Sequence, residues 1–242
     1  MIVFIYGIGA YAIGLAGLTF FLLFVGGWSF MPWHVNLGTP GSFLPALIVN
    51  AGLIVLFGVQ HSVMARQPFK QWLTKVIPPA AERSTYVLLS GILMALICVA
   101  WQPMQGVVWA TEIEVLKWAL WSLHWLGWGL AVFATFLINH FDLFGLRQVY
   151  LHWTKAEKSP TTFTERSLYK IVRHPLQLGF LLGLWSTPEM TVSRLVLVVS
   201  MTFYIFVGLY FEEKDLVATL GDDYQDYRRR VRMLIPLPKR GP

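Results

Sequence analysis

Between residues 173 and 236 the sequence gathers side chains that can hold a charged ligand. Arg173-His174-Pro175 opens the stretch, and the tandem acid Glu212-Glu213 follows two apolar arms later. Tyr224, Tyr227 and a basic run then lead to Ile235-Pro236. A guanidinium grips a carboxylate with a two-pronged fork, and Pro175 suits a first helical turn whose free amides add to an anion site. The carboxylates of Glu212 and Glu213 suit an ammonium or sugar hydroxyls, so a zwitterion would bridge the two arms. The same residues can also close on each other as an internal Arg–Glu salt bridge. Spacing alone fits both arrangements.

Elements of a membrane bundle must carry these groups. Hydrophobic residues make up 56% of the 242, charged residues 13%, and the mean hydropathy is +0.57. Soluble domains carry about 25% charge, so the chain belongs to the membrane class. Apolar runs cover residues 2–27, 43–63, 86–101, 118–139, 176–187 and 192–211. Roughly 20 residues of helix cross the ~30 Å hydrocarbon layer. Four runs are long enough, the third is when it begins near Ser84, and the fifth is too short. The expected fold is an all-α integral membrane protein with five full-length transmembrane helices plus a short arm. That arm and the last helix form a C-terminal helical hairpin with a cytoplasmic cap. Helical rise gives the arm about 20 Å and its partner about 30 Å, which predicts Arg173-His174 roughly 10 Å deeper than Glu212.

Charge sorts by side. Seventeen of the nineteen basic residues fall in 64–84, 141–173 and the tail, Lys158, Arg166, Lys239 and Arg240 among them. The positive-inside bias makes those segments, and both termini, cytoplasmic. The net charge of +6 is therefore juxtamembrane and reads as anchoring to anionic headgroups, with no nucleic-acid partner. The apolar start lacks a basic leader and is too long for a signal peptide, so it reads as a retained first helix. Cys98 is the sole cysteine, which leaves no disulfide framework and no cysteine-based metal site. No G-x-G-x-x-G follows a strand-like run, so a Rossmann site is excluded. Gly14-Leu15-Ala16-Gly17 and the Gly179/Gly183 pair offer small faces for close helix packing.

The C-terminal motifs resemble the isoprenylcysteine carboxyl methyltransferase superfamily: Arg173-His174-Pro175-x-x-x-Gly179, Glu212-Glu213-x-x-Leu216, Gly221-x-x-Tyr224-x-x-Tyr227 and Ile235-Pro236. Three further runs are similar to its bacterial methanethiol S-methyltransferase branch, which neighbours the NnrU-like membrane proteins. They are Gln60 to Arg66, Glu82 to Leu88, and Asn139-His140-Phe141-Asp142-Leu143-Phe144-Gly145-Leu146-Arg147-Gln148-Val149. The resemblance spans nearly the whole chain. It implies one membrane domain over 1–242, with N-terminal helices to 140 and a cofactor-binding hairpin and tail beyond. It also implies methyl transfer from S-adenosylmethionine to methanethiol, a small volatile thiol, in the cell inner membrane. The lipid bilayer is the other partner, and no protein partner is implied.

On that resemblance Arg173 fits the cofactor's carboxylate, Glu212 or Glu213 its ammonium or ribose, and Tyr224 or Tyr227 its adenine. His174 would bond the cofactor or the hairpin backbone. Gln177 stands where many members have tyrosine, and its amide can still hydrogen-bond a ligand. A thiol reacts as its thiolate, so a base is wanted. His140, His61 and Tyr86 are the candidates, with Asp142 and Arg147 to orient the base or pair across the pocket. His61 and His124 also read as interhelical packing residues, and Arg66 and Arg83 as lipid anchors or a helix-end pair with Glu82. Two alternatives remain open: methylation of another small or isoprenoid thiol or carboxylate, and a non-enzymatic NnrU-like haem or redox partner.

Overall fold

The computed structural model describes residues 1–157, 165 and 167–237. Lys158, Arg166, Lys239 and Arg240 lie outside them. In chain order the elements are α1 (Ile2–Gly26), α2 (Phe43–Met64), α3 (Gln67–Leu73), α4 (Glu82–Ala100), β1 (Val107–Ala110), α5 (Glu114–Ile138), α6 (His140–Leu143), α7 (Leu146–Thr154), α8 (Pro175–Trp185), β2 (Glu189–Thr191), α9 (Val192–Leu220) and α10 (Asp222–Arg230). Among the described residues five helical segments are long and apolar enough to cross a bilayer: α1, α2, α4 with its leading turn from Pro79, α5 and α9. The apolar α8 is the short arm. The chain is an all-α integral membrane protein.

Two expectations change. The last helix runs past Phe211 to Leu220, because Lys214 to Leu220 are mostly good helix formers. It stops at Gly221, whose φ of 60° is a conformation glycine adopts without a Cβ penalty. The predicted depth difference is also absent: His174 Nε2 lies 2.7 Å from Glu213 and Nδ1 3.7 Å from Glu212. The hairpin turn explains it. Extended chain rises about 3.3 Å per residue against 1.5 Å in a helix, so the stretch through β2 makes up for the short arm. β2 pairs antiparallel with β1, a two-stranded element that hydropathy did not signal.

The chain divides into two compact units. The first comprises Met1–Ala110, Asn139–Ser159 and Glu189–Ser200; the second comprises Thr111–Ile138, Pro160–Pro188 and Met201–Pro242. In the first, α1 and α4 cross on glycines, and a Cβ on Gly91 would stand 2.6 Å from the Cα of Gly14. Small residues allow such approach where no hydrophobic force drives helices together. Buried Arg194 donates Nη2 to the Val25 carbonyl at 2.6 Å and Nη1 to that of Glu189 at 2.8 Å. The first bond satisfies an orphan carbonyl at the end of α1.

In the second unit α5 and α8 meet in the same manner. A Cβ on Gly127 would come 2.7 Å from the Gly179 carbonyl. His124 locks this crossing: Nδ1 lies 2.7 Å from the Gly183 carbonyl, and Nε2 accepts the Trp128 indole N–H at 3.1 Å. Both bonds require the Nδ1–H tautomer. His124 is thus a satisfied packing residue, and both glycine motifs serve packing.

Candidate functional site

The second unit holds every residue expected to bind the cofactor. Its centre is Glu213, buried on α9. Oε1 accepts from Arg173 Nε at 2.9 Å, His174 Nε2 at 2.7 Å and the Tyr224 hydroxyl at 2.8 Å. Oε2 accepts from Arg173 Nη2 at 3.1 Å and Arg228 Nε at 3.0 Å. A carboxylate has about four lone-pair directions, so this one has no capacity left. Arg173 is close to saturation as well, since Nη1 also donates to the Val231 carbonyl at 2.6 Å. The internal Arg–Glu bridge therefore forms, and it is bidentate.

The backbone explains why the network closes here. Arg173 N–H donates to the Arg232 carbonyl at 2.9 Å and His174 N–H to that of Met233 at 3.1 Å, which lays the tail beside the start of α8. α10 fixes the tail in turn. Its Tyr227 hydroxyl donates to the Tyr169 carbonyl at 2.6 Å, and Arg230 forks onto Glu165 at 2.6 and 3.1 Å. Burial, then the Glu213 carboxylate, raises the Tyr224 phenol pKa; burial, then Glu165, raises that of Tyr227. Both rings are buried, so they act as packed supports for the network.

Glu212, one residue away, has the opposite surroundings. Its side chain is 47% exposed; Gln177 Nε2 donates to Oε2 at 3.1 Å, and His174 Nδ1 lies 3.7 Å from that oxygen, beyond hydrogen-bond distance. The Tyr169 phenol is pushed up to about 12, by burial first and by the Glu212 charge second. His174 stands between the two acids. Its contact with the Glu213 carboxylate requires Nε2–H, which turns Nδ1 toward Glu212.

The first unit holds the five residues expected to assist the thiol. His61 on α2 meets α4 at both ring nitrogens: Nε2 to the Tyr86 hydroxyl at 2.5 Å, Nδ1 to Ser90 Oγ at 3.1 Å. Arg83 does not pair with Glu82. Its guanidinium lies 4.7 Å over the Tyr86 ring, and Nε donates to the Leu143 carbonyl at 2.7 Å. That bond ties the His61–Tyr86 pair to the α6 turn carrying His140. Asn139 caps this turn by accepting the Asp142 N–H at 3.2 Å. Buried His140 then bonds the Tyr11 hydroxyl through Nε2 at 2.8 Å, and burial lowers its pKa. Asp142 stands 3.8 Å from Arg147. Phe144 packs on the His140 ring, with centroids 4.7 Å apart, and on the apolar cluster of Met64, Tyr86 and Val87.

Sequence reasoning missed Tyr11, Ser90 and Tyr169, and it gave Arg83 a lipid or Glu82 role in place of its contacts with Tyr86 and the Leu143 carbonyl. Only Tyr169 had a local signal, four residues before Arg173. The others are joined to their partners by tertiary packing alone.

Comparisons with known proteins agree over almost the full length. The chain is 46% identical over 236 residues to the methanethiol S-methyltransferase of Mycobacterium tuberculosis, covering 98% of this chain and 96% of that one. It is 47% identical over 232 residues to methanethiol S-methyltransferase 2 of Bradyrhizobium diazoefficiens, covering 96% and 89%. With nurim of Bos taurus it shares 32% identity over 189 residues, covering 72% and 70%. No family model matches the chain, and no solved structure does.

Proposed function

The chain belongs to the methanethiol S-methyltransferase family, and from that premise we propose that it methylates methanethiol to dimethyl sulfide with S-adenosylmethionine as donor. The observation that carries this reading is the 46% identity extending over nearly the whole of both chains. When bound, the donor supplies a methyl group on a cationic sulfonium, open to in-line attack by a thiolate.

The residues fit that donor unevenly. Glu212, with Gln177 beside it, is the acceptor set for the ammonium or ribose, because Glu213 is saturated by protein donors. The first-turn amides of α8, with the remaining Arg173 N–H, suit the carboxylate. Glu213 positions Arg173 and His174. Tyr224 and Tyr227 hold that network from below, a role that replaces the adenine contact expected of them.

For the acceptor, His140 takes the thiol proton and Tyr11 fixes its ring. Asp142 and Arg147 hold the α6–α7 corner, and His61 with Tyr86 forms the neighbouring polar wall. Met64, Phe69, Leu73 and Phe144 supply apolar packing around Tyr86 suited to a methyl group. Two heavy atoms gain at most about 3 kcal/mol, so acceptor binding is millimolar and rate depends on alignment. By the positive-inside rule the basic segments and both termini face the cytoplasm of the inner membrane. A haem reading is not favoured, since His61 and His124 each have both ring nitrogens occupied by protein groups.

Headspace chromatography of membranes given S-adenosylmethionine and a thiol panel tests the proposal. Methanethiol and ethanethiol should be methylated, with little reaction of cysteine, homocysteine or a prenylated cysteine. Efficient carboxyl methylation of a prenylated cysteine with methanethiol inert would overturn it.

A further inference from the structure

The Arg173–Glu213 network has a second side, which the methyl-transfer reading leaves unused. There a groove of about 450 Å³ runs along α9, lined by Phe206, Leu209, Tyr210, Lys214 and Arg228, with Arg173 and Glu213 at its base. Residues 206, 210, 213, 214 and 217 recur at helical spacing and form one stripe of α9. Glu212 lies about 100° round the helix from Glu213, so it falls outside this stripe. Neither Glu212 nor Gln177 lines the groove.

Composition and depth both describe the ligand. Three cations face one carboxylate that is already saturated, so the groove attracts an anion. The Lys214 ammonium makes no hydrogen bond or ion pair among the described residues. Measured from Val192, helical rise puts Phe206 about 21 Å, Tyr210 about 27 Å and Lys214 about 33 Å along the helix axis. A hydrocarbon layer of ~30 Å thus ends between Tyr210 and Lys214. Exposed Phe206 and Tyr210 lie at acyl-chain level and the cations at headgroup level. We propose that this groove holds one anionic phospholipid, its phosphate against Lys214 and Arg228 and its first chain segments along Phe206 and Tyr210. The site does not depend on the methyl-transfer assignment.

The test uses the full chain in neutral detergent, titrated with phosphatidylglycerol, phosphatidylcholine or glycerol 3-phosphate and read by native mass spectrometry. Phosphatidylglycerol should persist as a one-to-one adduct in preference to phosphatidylcholine, by roughly fivefold for each basic side chain. Lys214→Glu should abolish the preference and Lys214→Gln should reduce it, both still binding S-adenosylhomocysteine as the parent does. Equal retention of the two lipids overturns the proposal, as does a preference that survives Lys214→Glu. Glycerol 3-phosphate binding as tightly as the lipid would reduce the groove to a simple anion site. Displacement of the lipid by S-adenosylhomocysteine would assign the groove to the cofactor instead.

Discussion

In the first unit two histidines pair with hydroxyl groups: His61 with Tyr86 and Ser90, His140 with Tyr11. In the second, Glu213 is held by two guanidiniums, an imidazole and a phenol. A hydroxyl–imidazole bond satisfies both partners without placing charge in hydrocarbon, so it can be made between α2 and α4 within their spans. A carboxylate and its cations need either water or full mutual satisfaction. Glu213 sits near the end of α9, where the helix outruns the ~30 Å hydrocarbon layer, and it is fully satisfied. The difference teaches which groups can turn to chemistry. A saturated ionic network is a scaffold, whereas a half-exposed carboxylate such as Glu212 can exchange its protein partner for a ligand.

Breaking the scaffold should have the largest effect. Glu213→Ala leaves Arg173, His174 and Arg228 around an empty position, and removing one partner of a buried ionic pair costs about 3–5 kcal/mol. The variant should lose much of its folded population in detergent, and Arg173→Ala should follow it. Thermal unfolding and size-exclusion profiles would detect this. If either variant stayed as stable as the parent and lost only cofactor affinity, the scaffold assignment would fail.

Next in size is the base. His140→Ala should lower turnover by ~10²–10⁴-fold, the usual scale for general base catalysis, with little change in S-adenosylhomocysteine affinity. The defect should shrink as pH rises and the thiol ionises unaided. A pH-independent loss, or none, would move the role to His61 or Tyr86.

Much of this architecture was legible from the sequence. The five spans and the short arm followed from apolar run lengths, and the polar end of the hairpin followed from Arg173-His174 and Glu212-Glu213. What could not be read was the division of labour between adjacent acids. Two identical side chains one residue apart differ only by about 100° of helix rotation, and tertiary packing decides which one turns inward. The Tyr11–His140 contact joins residues 129 apart in sequence, and no local pattern announces such a pair. The depth prediction failed because hydropathy does not distinguish an extended turn from a helical one.

Glu212 sharpens the comparison with Glu213. Glu212→Ala removes a half-exposed carboxylate that has only a light protein partner, so folding should barely change. Cofactor affinity should fall by about 2 kcal/mol, the lower end for a charged pair because solvent screens this one. Calorimetry with S-adenosylhomocysteine gives the answer, and unchanged affinity would remove Glu212 from the ligand's contacts.

The smallest effect concerns the protonation of His140. Burial holds its imidazole below the ordinary pKa of 6.5, so the folded state takes up a proton at lower pH than the unfolded state does. Where the unfolded chain binds more protons, stability falls as pH falls. The contribution of His140 is therefore complete above about pH 6.5 and is lost progressively as pH drops toward the depressed folded value. His140→Gln keeps an acceptor for the Tyr11 hydroxyl but cannot titrate. It should flatten the acid side of the melting-temperature profile below about pH 6.5 and leave the plateau above it nearly unchanged. An acid limb as steep as the parent's would mean that His140 is not protonated on unfolding.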